Sequence, residues 1–297
     1  MPSRVQSKIS AIVERIKPGD LADAESREKF LAGLEPWLFG TVGGNSACVS
    51  VESRSQDECI VFDCGSGIRE LGAAALNETR KKNRYHIFFS HFHWDHIQGL
   101  PFFGPGYNHQ NRIEFYSPVP GMENFLCGQM ETPYFPVNFN AMGCVKTFHL
   151  LENKINVCGC GISYKKMNHP GGSYAYCVNE EGKRFIYSTD TELTAEDFLK
   201  TEENEAFFRG ADLLVIDCQY TLGEAIEKYN WGHSAFSMAV DFTVNWGIKH
   251  MVMFHHDPSY DDQKLYGLLQ SAKWYLERMN IKGIELTLAY EGLEILI

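Results

Sequence analysis

Residues 90–100 read "SHFHWDHIQGL" and follow directly on the apolar run "YHIFF" at residues 85–89. Three histidines and an aspartate therefore crowd into six positions at the end of what reads as a buried strand. His91 and His93 lie two apart, so in extended backbone they point to one side and can grip one ion. Asp95 and His96 follow as the chain turns into "IQGLPFF", and their shifted direction suits a second ion nearby. Imidazole and carboxylate together suit Zn²⁺ and similar transition metals, whereas carboxylate alone would suit Mg²⁺ or Ca²⁺.

Three later apolar runs end in the same kinds of residue. "SYKKMNHP" reaches His169, "RFIYSTD" ends at Asp190, and "MVMFHH" reaches His255. Ligand-type residues at strand ends are how an α/β scaffold gathers a site along one edge of its sheets. Seven residues then serve two ions: His91, His93 and His169 on one, Asp95, His96 and His255 on the other, with Asp190 between them. His256 adjoins His255, and strand alternation lets only one of the two face the ions.

The chain has 297 residues, 44% of them hydrophobic, which is enough for a substantial core. With 38 acidic against 27 basic residues its formal charge is −11. That balance disfavours a dedicated nucleic-acid binder, because affinity for polyanions comes largely from clustered Lys and Arg. Nine cysteines form an odd set without a disulfide-like framework. The start "MPSRVQSKIS" lacks the apolar core of a signal peptide, and no run approaches the ~18 apolar residues of a membrane span. These features predict a soluble cytoplasmic protein without membrane association.

One domain over 1–297 is expected, opening with a helical segment at about 7–34 that Pro18-Gly19 breaks in two. Short apolar runs alternate with turns thereafter. Late in the chain, Ser234 is placed to cap "AFSMAVDFTVNW" and Asp261 to cap "DQKLYGLLQSAKWYLERM". The Pro-, Phe- and Tyr-rich stretch 104–148 reads as an insertion, either a lid or a packed surface excursion. Its Tyr107, Phe115, Tyr134 and Phe135 could cover a pocket and stack on a base, and Tyr174 and Tyr220 could either line it or pack as buried aromatics. Asp63, in "FDCGSG", is expected to hydrogen-bond a ligand or its loop rather than touch an ion. His86, His109, His149 and His250 lack metal-like spacing. Cys158 and Cys160 have no second cysteine pair suitably placed, so all nine cysteines are assigned structural roles.

The stretches "GGNSACV", "FDCGSGIRELG", "SHFHWDHIQGLPFF", "HPGGSYAY", "YSTDTE", "DLLVIDCQYT", "WGHS" and "FHHDP" together resemble the metallo-β-lactamase superfamily, in the family's order and over most of the chain. The resemblance is greatest to its phosphodiesterase branch, which includes ribonuclease Z and cyclic-nucleotide phosphodiesterases. It implies an α/β protein, an αββα sandwich of two mixed β-sheets flanked by helices, with a dinuclear site at one sheet edge. The cofactors implied are two divalent transition-metal ions, zinc first, with Mn²⁺ or Fe²⁺ as alternatives; a homodimer is also implied. Family alignment selects His255 over His256. His233 corresponds to the branch's late catalytic histidine, with Asp217 to orient its imidazole for protonating a leaving alkoxide. Asp95 would also orient the attacking water.

Two departures stand out. The branch usually opens with a strand, and this chain opens with a helix. Ribonuclease Z carries His-Glu-Ala-Thr where this chain reads Ile216-Asp217-Cys218-Gln219. The expected activity is hydrolysis of small phosphodiesters or cyclic nucleotides. The rivals are a tRNA 3′-processing-type endoribonuclease, a lactone or other ester hydrolase, and a nucleotide sensor without enzymatic activity.

Overall fold

Residues 58–62 and 84–88 carry apolar side chains on both faces, as strands covered on two sides require. In the computed structural model, which describes residues 2–53, 58–77 and 82–297, they are central strands of the first of two mixed sheets. That sheet holds β1 (Val49–Val51), β2 (Glu58–Phe62), β3 (Arg84–Phe88), β4 (Arg112–Ser117) and β5 (Val145–Leu150), side by side in chain order. β1 runs antiparallel to β2, and the remaining pairs are parallel.

The second sheet starts as an antiparallel meander of β6 (Ile155–Val157), β7 (Cys160–Met167), β8 (Ser173–Glu180) and β9 (Lys183–Ser188). It continues in parallel through β10 (Leu213–Asp217), β11 (His250–Phe254) and β12 (Glu285–Leu288). The helices are α1 (Pro2–Val13), α2 (Ala24–Ala32), α3 (Ile68–Asn77), α4 (Trp94–Ile97), α5 (Met122–Gly128), α6 (Glu202–Phe208), α7 (Leu222–Glu227), α8 (Phe236–Trp246) and α9 (Asp262–Arg278).

Strand alternation sorts the apolar residues into three layers. Ile60, Phe62 and Phe88 face Tyr176, Phe185, Tyr187 and Val215 between the sheets, and the Phe62 ring stacks on Tyr187 at 5.3 Å. The intervening Cys59, Val61, Ile87 and Phe89 point the other way, onto Ile68 of α3 and Leu126 of α5. Leu214 and Ile216 of β10 likewise face outward, onto Val240 and Phe242 of α8 and Leu269 and Ala272 of α9. Helices thus cover the outer face of each sheet, and the chain is an αββα sandwich. Among the described residues no helix is long and apolar enough to cross a membrane.

Several local expectations need correction. The first helix begins at Pro2, ahead of residue 7, while Pro18 opens a short 3-10 turn over Pro18–Leu21. Asp261 caps α9 as expected, accepting from the Lys264 N–H. Ser234 does not cap α8. Ala235 holds that position, and the Ser234 hydroxyl instead donates to the Thr191 carbonyl and accepts from Leu193 N–H. The stretch 104–148 contains all of β4 and part of β5, so it is no single excursion: residues 104–111 belong to the β3–β4 connection and residues 118–144 join β4 to β5. Phe115 cannot cover a pocket. It is fully buried beneath the first sheet, stacked on Phe148 at 5.2 Å.

Candidate metal centre

The carboxyl ends of the central strands converge on one edge of the sandwich. β3 runs into Ser90, His91 and His93, β7 into His169, β9 into Asp190, β10 ends at Asp217, and β11 runs into His255. Two clusters result. In the first, His91, His93, His169 and Asp190 bring one ligand atom each within 4.8 Å of the others. His169 Nε2 lies 3.1 Å from His93 Nδ1, and the Asp190 Oδ2 lies 3.5 Å from His91 Nε2 and 3.7 Å from His169 Nε2. In the second, His96 Nε2 and His255 Nε2 are each 3.1 Å from Asp190 Oδ1, and they lie 3.2 Å and 3.3 Å from Asp95 Oδ2. Asp190 thus gives one oxygen to each cluster.

Hydrogen bonds at the far nitrogen set which face of each ring carries the lone pair. The Ser90 hydroxyl donates to Asp63 Oδ2, leaving its lone pairs to accept from His91 Nδ1–H at 3.0 Å. His96 Nδ1–H donates to Asp63 Oδ2 at 2.8 Å, and His169 Nδ1–H donates to the Gly232 carbonyl at 2.9 Å. The opposite Nε2 atoms are acceptors aimed into the clusters, and those of His91 and His96 are buried without a hydrogen-bond partner. This is how metal-binding histidines are ordinarily oriented.

Charge follows the same plan. Burial dominates His91 and pushes its pKa down to about 2, so it is a neutral donor. Burial acts the other way on Asp190 and would raise it, but His255, His96 and His91 outweigh it and hold the carboxyl well below the usual range. Burial opposes charge on His255, yet Asp190, Asp95 and Asp217 prevail and push it up to about 9. Positive charge is therefore drawn to the second cluster. Nitrogen and oxygen neighbours of a tetrahedral zinc ion sit about 3.3 Å apart, given metal–ligand distances of about 2.0–2.1 Å. The observed edges match that spacing, and the donor set, orphaned nitrogens and charge make this a divalent-metal site.

Asp63 is fully buried and accepts from Ser90 N–H, the Ser90 hydroxyl, His96 Nδ1–H and the Tyr187 hydroxyl. It reaches no cluster itself. Asp217 is equally buried and accepts from the N–H groups of Thr191, Gln219 and Ser234, and from His233 Nδ1–H at 2.6 Å. The His233 ring stacks on His255 at 5.0 Å and meets Tyr220 edge-on at 5.8 Å. His256 turns away and donates to the Ala289 carbonyl. Tyr174 packs on Tyr164.

Residue spacing did not reveal Ser90, Tyr187 or the Gly232 carbonyl, whose groups carry no metal-ligand signature. Glu192 was also missed; its carboxylate accepts from Asn230 and Gly232 N–H and fixes the loop that supports His169. A cavity of about 230 Å³, lined by Asn168, His169, Pro170, Glu192 and Asn230, adjoins the first cluster. Trp94, between His93 and Asp95, and Trp231, two residues before His233, are 77% and 62% exposed.

Residues 58–256 match the model of the beta-lactamase superfamily domain, well over half of the chain. The chain belongs to this superfamily. A ribonuclease Z from Prochlorococcus marinus (strain NATL1A) is 22% identical over 283 residues, covering 74% of this chain and 84% of the relative. Among solved structures, the metallo-beta-lactamase fold protein YhfI from Bacillus subtilis superposes with a TM-score of 0.62 at 16% identity, covering 84% of this chain and 90% of its own. Human tRNase Z, short form, gives 0.60 at 21% identity, covering 87% and 95%.

Proposed function

We propose that the protein is a two-metal phosphodiesterase for small diesters, with His91, His93 and His169 holding one ion, Asp95, His96 and His255 the other, and Asp190 bridging them. The division of the Asp190 oxygens between two clusters carries this reading. Zinc suits the donor set first. Divalent ions at such a site supply a nucleophile from water near neutral pH and neutralise charge on phosphoryl oxygens. Asp95 is half-exposed at the mouth and can accept a hydrogen bond from the attacking water. Asp217 fixes the His233 tautomer with hydrogen on Nδ1, so proton traffic with the leaving oxygen runs through Nε2.

The diester is taken to be small because the chain carries a charge of −11 and lacks the His-Glu-Ala-Thr sequence around Asp217. A second reading, RNA processing, is favoured by the name ribonuclease Z carried by relatives. The test is a panel of bis-nitrophenyl phosphate, cyclic nucleotides, a phosphomonoester, a lactone and a tRNA precursor, run on zinc-loaded protein with metal content measured. Turnover of small diesters above all others is expected. Efficient cleavage of the tRNA precursor with negligible diester turnover would assign the second reading.

A further inference from the structure

We propose that Glu58, His86 and Cys158 form a separate zinc-type metal site at the opposite end of the sandwich from the candidate metal centre. Glu58 opens β2, His86 lies on β3, and Cys158 occupies the turn between β6 and β7, so the three come from both sheets. Their ligand atoms all lie within 4.8 Å of one another. Glu58 Oε2 is 2.6 Å from His86 Nε2 and 3.2 Å from Cys158 Sγ. His86 precedes His91 by five positions, or roughly 16 Å of extended chain, so no ligand can serve both places.

Each donor is prepared. His86 Nδ1 lies 3.1 Å from the Tyr116 hydroxyl, which steadies the ring with Nε2 toward Glu58 and Cys158. Arg84 approaches only Glu58 Oε1, at 3.5 Å, leaving Oε2 to the cluster. Cys158 has a left-handed backbone, φ 56°, in a two-residue hairpin turn completed by Gly159. Such turns favour Asn, Asp or Gly at that position, and a cysteine held there puts its sulfur against Glu58.

Thiolate and carboxylate together balance a divalent ion, and sulfur with imidazole favours Zn²⁺ over Mg²⁺ or Ca²⁺. A thiol gives up its proton when it ligates a metal, so uptake should strengthen as pH rises.

Co²⁺ titration of the metal-free full-length protein separates this site from the other, whose ligands are all nitrogen and oxygen. A thiolate-to-cobalt charge-transfer band is expected in the native sequence, lost together with about one equivalent of metal in Cys158→Ser, with diester turnover unchanged. Tyr116→Phe should keep the band and weaken its titration about 10–100-fold. On the unaltered protein, Zn²⁺ should slow alkylation of Cys158, read peptide by peptide by mass spectrometry, so the outcome does not depend on a variant folding. No band in the native protein, a band that survives Cys158→Ser, or Zn²⁺-insensitive alkylation of Cys158 would overturn the proposal.

Discussion

Asp63, Asp190 and His255 share a backbone conformation as well as a location. Their φ angles are 59°, 45° and 53°, in the left-handed region that side-chain-bearing residues seldom occupy. Each follows a strand by one or two residues, and the reversal swings its side chain across the sheet edge. At about 1–3 kcal/mol apiece, such conformations persist where the surroundings over-determine them. The left-handed turn also explains why alternation could not choose between His255 and His256: the strand pattern stops at Phe254. By contrast, the pairing of His91 with His93 was legible in their spacing: the two rings lie 4.5 Å apart, and His93 keeps an extended backbone. If Asp190 bridges, Asp190→Ala should deplete metal from both clusters, checked by elemental analysis; full loading with full activity would refute the bridge. His233→Ala should keep its metals and lose about 10²–10⁴-fold in rate. The deficit should shrink for nitrophenyl esters, whose leaving groups need less protonation.

At the level of elements, strand ends were readable from the sequence and the segments joining them were not. Apolar runs closing in His or Asp announce a sheet edge. Ser234, however, follows the general preference for a helix cap only until tertiary structure offers Thr191 and Leu193 as partners. Aromatic content in 104–148 likewise could not distinguish a cover from β4 and its core-facing Phe115. The loop before α8 depends on Gly232, with φ 88°, where a Cβ would lie 2.2 Å from His169 Nδ1 and 2.3 Å from Pro170 Cδ. Gly232→Ala should therefore displace His169, weakening metal affinity about 10–100-fold and destabilising the metal-free fold by about 1–3 kcal/mol. Metal titration and melting in chelator would check both; unchanged values would show that the loop yields without moving the histidine.

Across the whole molecule, Asp262 ties the N-terminal segment to the sandwich through Lys8, Thr41 and Val42. Burial would raise its pKa, but the donors from Lys8, Val42 and Thr41 outweigh that and lower it from 3.8. The tether is thus in force above that value and is lost as acid protonates Asp262 below it. Hydrogen exchange should show α1 losing protection on acidification before the strands do, and Asp262→Asn should loosen it already at neutral pH. Net charge bears on substrate at this same scale: turnover of a single-phosphate diester should vary little with salt, whereas RNA binding would fall steeply. Each proposed ion draws ligands from both sheets: His91, His93, Asp95 and His96 come from one half, and His169, Asp190 and His255 from the other. Such an ion is a rivet as much as a reagent. At a thousand times its dissociation constant it would add about 4 kcal/mol to the folded state, so the lifetime of the chain among proteases becomes a gauge of metal supply. Chelated protein should be digested faster than loaded protein, with early cuts where the two sheets part.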